Sequence, residues 1–195
     1  MSQKVLNMLN TKYIIYNPDA QPFPNHFAYG NAWIANDIQW VDTPNEEIDA
    51  IATTDLRRAA ILNKEFEQQV GEYQVTDSIM PTIELTEYQP NKLTYSFSGV
   101  STGSTTANYL VVFSEIWTEK GWKMTIDGQE QPLLRANYLL RAAIIPAGEH
   151  EIVMEYAPKA WKVGNTVSFA SSLIMVLGLI GALVFTFKPK KEEKA

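Results

Sequence analysis

The stretch Lys92-Leu93-Thr94-Tyr95-Ser96-Phe97-Ser98 decides the fold. Leu93, Tyr95 and Phe97 alternate with lysine, threonine and serine, the period-two pattern of a strand with one apolar face and one wet face. Outward on the N-terminal side, Ile83 and Leu85 alternate with Glu84 and Thr86, and Pro90-Asn91 between the two runs marks a turn. On the C-terminal side, Ser98 to Thr106 is rich in serine, threonine and glycine and reads as loop. Tyr109 to Ile116 is a nearly continuous apolar run, as expected of a central strand. Trp122, Met124 and Ile126 alternate with Lys123 and Thr125 as far as Asp127-Gly128, a hairpin signal. Leu139 to Ile145 and Glu151 to Tyr156 flank Pro146-Ala147-Gly148-Glu149, which reads as another hairpin. Several short strands at this spacing predict a mainly β fold, an antiparallel, jelly-roll-like β-sandwich with one or two short helices.

Further upstream, Val5 to Leu9 resemble the end of a helix, and Tyr13-Ile14-Ile15-Tyr16 is strand-like. Asn17 to Asn31 contains Pro18, Pro22 and Pro24 and reads as loop. Trp33 to Val41 is a predicted strand. Thr43-Pro44-Asn45-Glu46 is a helix start, with Thr43 as cap, Pro44 in the first turn and Glu46 completing a capping box. That helix should end near Thr54.

The last part of the chain has a different character. Between Lys162 and Lys188 lie 25 residues without a charge, VGNTVSFASSLIMVLGLIGALVFTF. As a helix at about 1.5 Å per residue they reach roughly 37 Å, against a hydrocarbon core of about 30 Å. Twelve Leu, Ile, Val or Phe residues between Thr166 and Phe187 favour insertion. A soluble core helix of this length would carry a polar face, and this one offers only small hydroxyls. The chain therefore divides into a β-sandwich domain at 1–162, a transmembrane helix at 163–187 and a basic tail at 188–195.

Charge orients the helix. The tail holds four Lys and two Glu, and the remainder holds 12 basic and 20 acidic residues, a net of −8. The positive-inside rule places the tail in the cytoplasm and the acidic domain outside, single-pass in this stretch of chain. The N-terminal MSQKVLNMLN is not a signal peptide. Both facts fit a fragment whose upstream part contributes further membrane spans. An acidic body also carries no electrostatic footprint for nucleic acid.

Catalytic signatures are sparse. The sequence contains no G-x-S-x-G, G-x-G-x-x-G, P-loop or H-E-x-x-H motif. It has no cysteine, and its two histidines, His26 and His150, fall in predicted loop and turn, where solvated roles are expected. No catalytic residue, metal ligand or cofactor is assigned. The aromatic residues point to recognition instead. Trp117 and Trp122 bracket Thr118-Glu119-Lys120-Gly121, and Tyr138 lies between Arg135 and Arg141. Aromatics beside arginines can stack on sugar rings and bind hydroxyls or phosphates. The structural alternative places Trp122 on a buried face with Met124 and Ile126 and pairs both arginines with carboxylates on neighbouring strands.

At Phe113-Ser114-Glu115-Ile116-Trp117, Lys120-Gly121-Trp122, Ile126-Asp127-Gly128 and Arg135-Ala136-Asn137-Tyr138-Leu139-Leu140-Arg141-Ala142, the chain resembles the C-terminal region of the YfhO family of bacterial membrane proteins. Ile145-Pro146-Ala147-Gly148, His150 and Gly164-Asn165 continue the resemblance. Leu9-Asn10-Thr11-Lys12-Tyr13-Ile14-Ile15 and Gly30-Asn31-Ala32-Trp33 resemble earlier stretches, and it is weakest from about Thr54 to Pro81. Glu119 stands where the family pattern has a proline before Lys-Gly-Trp.

The resemblance implies a parent with many membrane spans, similar to glycosyltransferases that use lipid-linked sugar donors. Their catalytic carboxylates lie in the upstream membrane part. This chain would then be a non-catalytic extracytoplasmic domain and anchor in a bacterial cell membrane. Its partners would be the lipid bilayer, that upstream region, and a glycan or lipid-linked sugar. A tethered carbohydrate-binding module and a purely structural module are the alternatives. The candidate substrate-binding residues are Arg135, Asn137, Tyr138, Arg141 and Trp117. Two guanidiniums so close in sequence repel unless an anion or carboxylates lie between them. A lipid-linked sugar supplies phosphate, and Glu151 and Glu155 on the following strand supply the structural alternative.

Overall fold

The computed structural model describes residues 3–71, 73, 81–99 and 108–187, in two compact units, Met1–Tyr156 and Ala157–Ala195. The first unit opens with α1 (Gln3–Met8), β1 (Tyr13–Ile14), β2 (Phe23–Pro24), β3 (Ala32–Ala35) and β4 (Asp37–Val41). Next come α2 (Pro44–Thr53), β5 (Ala59–Asn63), a 3-10 turn (Lys64–Phe66) and α3 (Glu67–Val70). The β-rich part comprises β6 (Thr82–Gln89), β7 (Lys92–Gly99), β8 (Asn108–Ile116), β9 (Trp122–Ile126) and β10 (Gln129–Gln131). It ends with β11 (Leu134–Ala136), β12 (Leu140–Pro146) and β13 (Gly148–Tyr156), and α4 (Lys159–Phe187) lies in the second unit.

Two sheets build the first unit. One is antiparallel and five-stranded, in the order β10-β9-β13-β7-β6; the other is six-stranded, β3-β8-β12-β11-β5-β4, with β4 and β5 parallel. Tyr109, Val111 and Phe113 of β8 meet Leu93, Tyr95 and Phe97 of β7 and Met124, Ile152 and Met154 between the sheets. Leu110 and Val112 project to the other face, against Met8, Ile51, Phe66 and Val70 of the helical segments. β8 is thus buried on both faces, which is why its run is apolar without alternation. Each fully buried Leu, Ile or Phe contributes about 1.5–3 kcal/mol relative to exposure. The mainly β fold and the central place of β8 agree with the sequence.

The local signals are realised in detail. Gln89 pairs with Lys92 across Pro90-Asn91, and Ile126 pairs with Gln129 across Asp127-Gly128. Asp127 and Gly128 take φ of 51° and 82°, the double left-handed turn that matches strand twist. The Thr43 hydroxyl accepts the Glu46 N–H at 3.3 Å, and the Glu46 carboxylate accepts the Asp42 N–H at 2.9 Å, one residue before the cap.

Two expectations are corrected. Trp33 to Val41 is two strands, because the Asn36 and Asp37 N–H groups both donate to the Arg58 carbonyl and bend the chain there. The first half pairs with β8 and the second with β5, so the two ends of the six-stranded sheet are separated only by Asn36. The turn at Pro146-Ala147-Gly148 is not a hairpin: β12 pairs with β8 and β11, whereas β13 pairs with β7 and β9 in the opposite sheet. Gly148 takes φ 138°, and a Cβ there would meet the His150 ring. Among the described residues, α1, α2 and α3 are the few short α-helices that precede α4. The expected loop at Ser98 to Thr106 lies largely outside the described residues, as does the tail at 188–195.

Within α4, Val163–Phe187 is 25 residues long with mean hydropathy 2.3, long and apolar enough to cross a membrane. Its hydroxyls fold back on the helix: Ser172 donates to the Ser168 carbonyl at 2.8 Å and Thr186 to that of Ala182 at 2.8 Å. Such bonds satisfy polar groups that lipid cannot.

Candidate functional site

The hairpin between β11 and β12 carries most of the candidate residues. Ala136 pairs with Leu140, and the connection runs through Asn137 at φ 50° and Tyr138 at φ 73°. Asparagine tolerates the left-handed region; for tyrosine it costs about 1–2 kcal/mol. Asn137 is buried and continues the ladder to β5. Its backbone N–H donates to the Ile61 carbonyl at 2.9 Å, and its side-chain oxygen accepts the Ile61 N–H at 2.9 Å.

Tyr138 is held from below. Its N–H donates to the Glu47 carboxylate at 2.7 Å, while its side chain stays 39% exposed. Glu47 is 0% exposed and also accepts from Arg135 Nη2 at 3.2 Å; Glu65 approaches the same nitrogen at 3.6 Å. The Arg135 guanidinium lies 5.7 Å over the Trp117 ring, and the Trp117 backbone N–H donates to the Leu139 carbonyl at 2.8 Å. Burial raises the Glu47 pKa above the usual carboxylate value, against the opposing pull of the Tyr138 N–H and Arg135.

Arg141 stands opposite Arg135 in the ladder, but its guanidinium goes elsewhere. It is 3% exposed and stacks on Trp122 with 3.9 Å to the ring centroid; Nη1 lies 4.0 Å from the Met154 sulfur. The β12–β8 register jumps from Leu140↔Ile116 to Arg141↔Phe113, a bulge that leaves Ser114 and Glu115 without partners on β12. Burial lowers the Arg141 pKa and raises that of Glu115, and each group's charge opposes the other's shift. The Arg141 Nε and Tyr95 hydroxyl find no hydrogen-bond partner among the described residues.

The structure thus brings Trp117, Arg135 and Tyr138 together around Glu47, with Asn137 beneath them, and sends Arg141 into the core between the sheets. Glu151 and Glu155 are not Arg141's strand partners, because β13 belongs to the other sheet. Sequence reading missed Glu47, Glu65 and Glu115. Glu47 had a usable signal: it precedes Ala50 and Ile51 by three and four residues, so a carboxylate lies on the buried stripe of α2. Of the histidines, His26 is exposed as expected, whereas His150 is held by Asp127 at 2.6 Å and stacks on Phe97.

Residues 72–168 match the family model described as bacterial membrane protein YfhO. That stretch, 97 of the 195 residues, is similar to the YfhO family. It includes Trp117, Trp122, the Arg135–Arg141 hairpin and the beginning of α4, whereas Glu47 and Glu65 lie outside it. No curated protein and no solved structure matches the chain. The YfhO match and the apolar helix together make this a membrane-associated protein.

Proposed function

We propose that this chain is the non-catalytic, extracytoplasmic C-terminal domain and membrane anchor of a YfhO-like glycosyltransferase, which acts on cell-surface glycans with lipid-linked sugar donors. The observation that carries the reading is the uncharged span Val163–Phe187 of α4, followed in sequence by Lys188, Lys190, Lys191 and Lys194, on a chain whose residues 72–168 match the YfhO family. The lysine excess favours a cytoplasmic tail and an outer β domain. The catalytic carboxylates belong to the upstream membrane part of the parent. Trp117, Arg135 and Tyr138 face that part or its phosphate-bearing substrate, and Asn137 and Arg141 position the hairpin from within.

A second reading, a purely structural module, is favoured by the burial of Asn137 and Arg141 and by the engagement of Arg135 with Glu47. Protease added to intact spheroplasts should remove the domain and spare an epitope on the tail; the reverse pattern overturns the orientation. In the full-length parent, Tyr138→Ser, at a side chain 39% exposed, should lower glycan transfer without lowering domain stability. Unchanged transfer supports the structural module.

A further inference from the structure

Between Lys12 and Phe27 the chain presents an unusual surface. β1 and β2 pair as a separate two-stranded ribbon, Tyr13 with Pro24 and Ile14 with Phe23. Tyr13, Ile15, Tyr16, Phe23 and Phe27 are between 60% and 76% exposed, and Tyr16 and Phe23 touch edge to face at 5.9 Å. Five large apolar side chains stand exposed on this short segment, with Tyr16 and Phe23 in contact, a concentration of the kind that marks an interaction site.

The ribbon is held in shape from its base. Asn25 Nδ2 donates to Asn7 Oδ1 at 3.0 Å and to the Thr11 carbonyl at 2.9 Å, and the Asn25 N–H donates to the Lys12 carbonyl at 2.7 Å. Pro18 and Pro22 restrict the connection between the strands, and Pro24 fixes φ within β2. The aromatic display is therefore pre-organised, which lowers the entropy cost of docking.

We propose that this ribbon is a second membrane contact, inserting Tyr16, Phe23 and Phe27 into the headgroup region of the lipid bilayer. Three observations favour lipid as the occupant. The chain carries its own membrane span, so a bilayer is always at hand. Lys12 and Asp19 balance, leaving the ribbon neutral on a body of net charge −8, so anionic lipids do not repel it as they repel the rest. Tyrosine joined to phenylalanine and isoleucine gives a polar tip on an apolar body, the composition that settles at a membrane interface.

The chain has no cysteine, so one engineered thiol carries a spin label uniquely. The test reconstitutes the full chain in phosphatidylcholine vesicles and compares labels at Ala20→Cys in the ribbon, Glu130→Cys on β10 and Leu177→Cys on α4. Accessibility to oxygen and to a water-soluble nickel complex is then read at each. The Ala20 label should show an oxygen-to-nickel ratio several-fold above that at Glu130, and Tyr16→Ser, Phe23→Ser and Phe27→Ser together should abolish the difference. A ratio at Ala20 equal to that at Glu130, or low accessibility to both reagents from protein cover, overturns the proposal. So does a high ratio that survives loss of the aromatics. The inference rests on the membrane anchor, and the Leu177 label reports that anchor separately: lipid at Leu177 with water at Ala20 refutes the ribbon alone.

Discussion

Glu47→Ala tests whether one buried carboxylate holds the β11–β12 hairpin. The substitution leaves the Tyr138 N–H without its 2.7 Å acceptor, at a cost of about 1–3 kcal/mol for an unsatisfied donor. It also removes the 3.2 Å charge-assisted bond from Arg135. That loss is discounted, because the Arg135 side chain is 20% exposed and keeps Glu65 at 3.6 Å. Tyr138 at φ 73° would then relax toward ordinary backbone geometry and pull Asn137 from its bonds to Ile61. The sum is about 3–4 kcal/mol, within the range for breaking a buried ionic contact by removing one partner. For a domain of this size that lowers Tm by roughly 10 °C. Urea unfolding of the full chain in detergent, followed by near-ultraviolet circular dichroism, measures it. Loss of less than about 0.5 kcal/mol, the range of ordinary surface changes, refutes the reasoning.

Three further outcomes are expected. Arg141→Ala should destabilise by about 2–4 kcal/mol through the cavity and the lost stack on Trp122, whereas Arg141→Met, which keeps the stem and removes the buried charge, should stay within about 1 kcal/mol of wild type; equal losses in denaturant titrations would show that the charge itself is needed. The raised pKa of Glu47 means the native state favours its protonated form, so its contribution is fully present below the ordinary carboxyl value of 4.5 and is lost as pH rises through the higher folded value; measured against Glu47→Gln, wild-type stability should fall over that window, and a constant difference would contradict the burial argument. Gly121→Ala should cost about 1–2 kcal/mol by thermal melting, since φ is 98° and the new Cβ would run into the Tyr156 ring.

Particular elements show how much the residues reveal unaided. The alternation of Leu93, Tyr95 and Phe97, the Asp127-Gly128 turn, the Thr43 cap and the uncharged span of α4 were all legible, because each signal lies within a few residues of its effect. The hairpin assigned at Pro146-Ala147-Gly148 failed for the complementary reason. A tight turn has the same local chemistry whether its arms pair with each other or enter opposite sheets, and the choice is made by β8, β11, β7 and β9.

The candidate residues divide in the same way. Arg135, Asn137, Tyr138 and Arg141 stood out because charged and aromatic groups crowd one short segment. The carboxylates around Arg135, Glu47 and Glu65, are 88 and 70 positions away from it and become its neighbours only when α2 and the 3-10 turn pack near the hairpin. The sequence by itself determined strand periodicity, turn chemistry and the membrane span, since backbone geometry and the thickness of lipid act over a few consecutive residues. Tertiary structure alone decided which sheet each strand joins, that Arg141 stacks on Trp122 in the core while Arg135 is held by Glu47, and that the β1–β2 aromatics stay uncovered. Those outcomes depend on burial and electrostatics between groups far apart in the chain, where no local pattern distinguishes one partner from another.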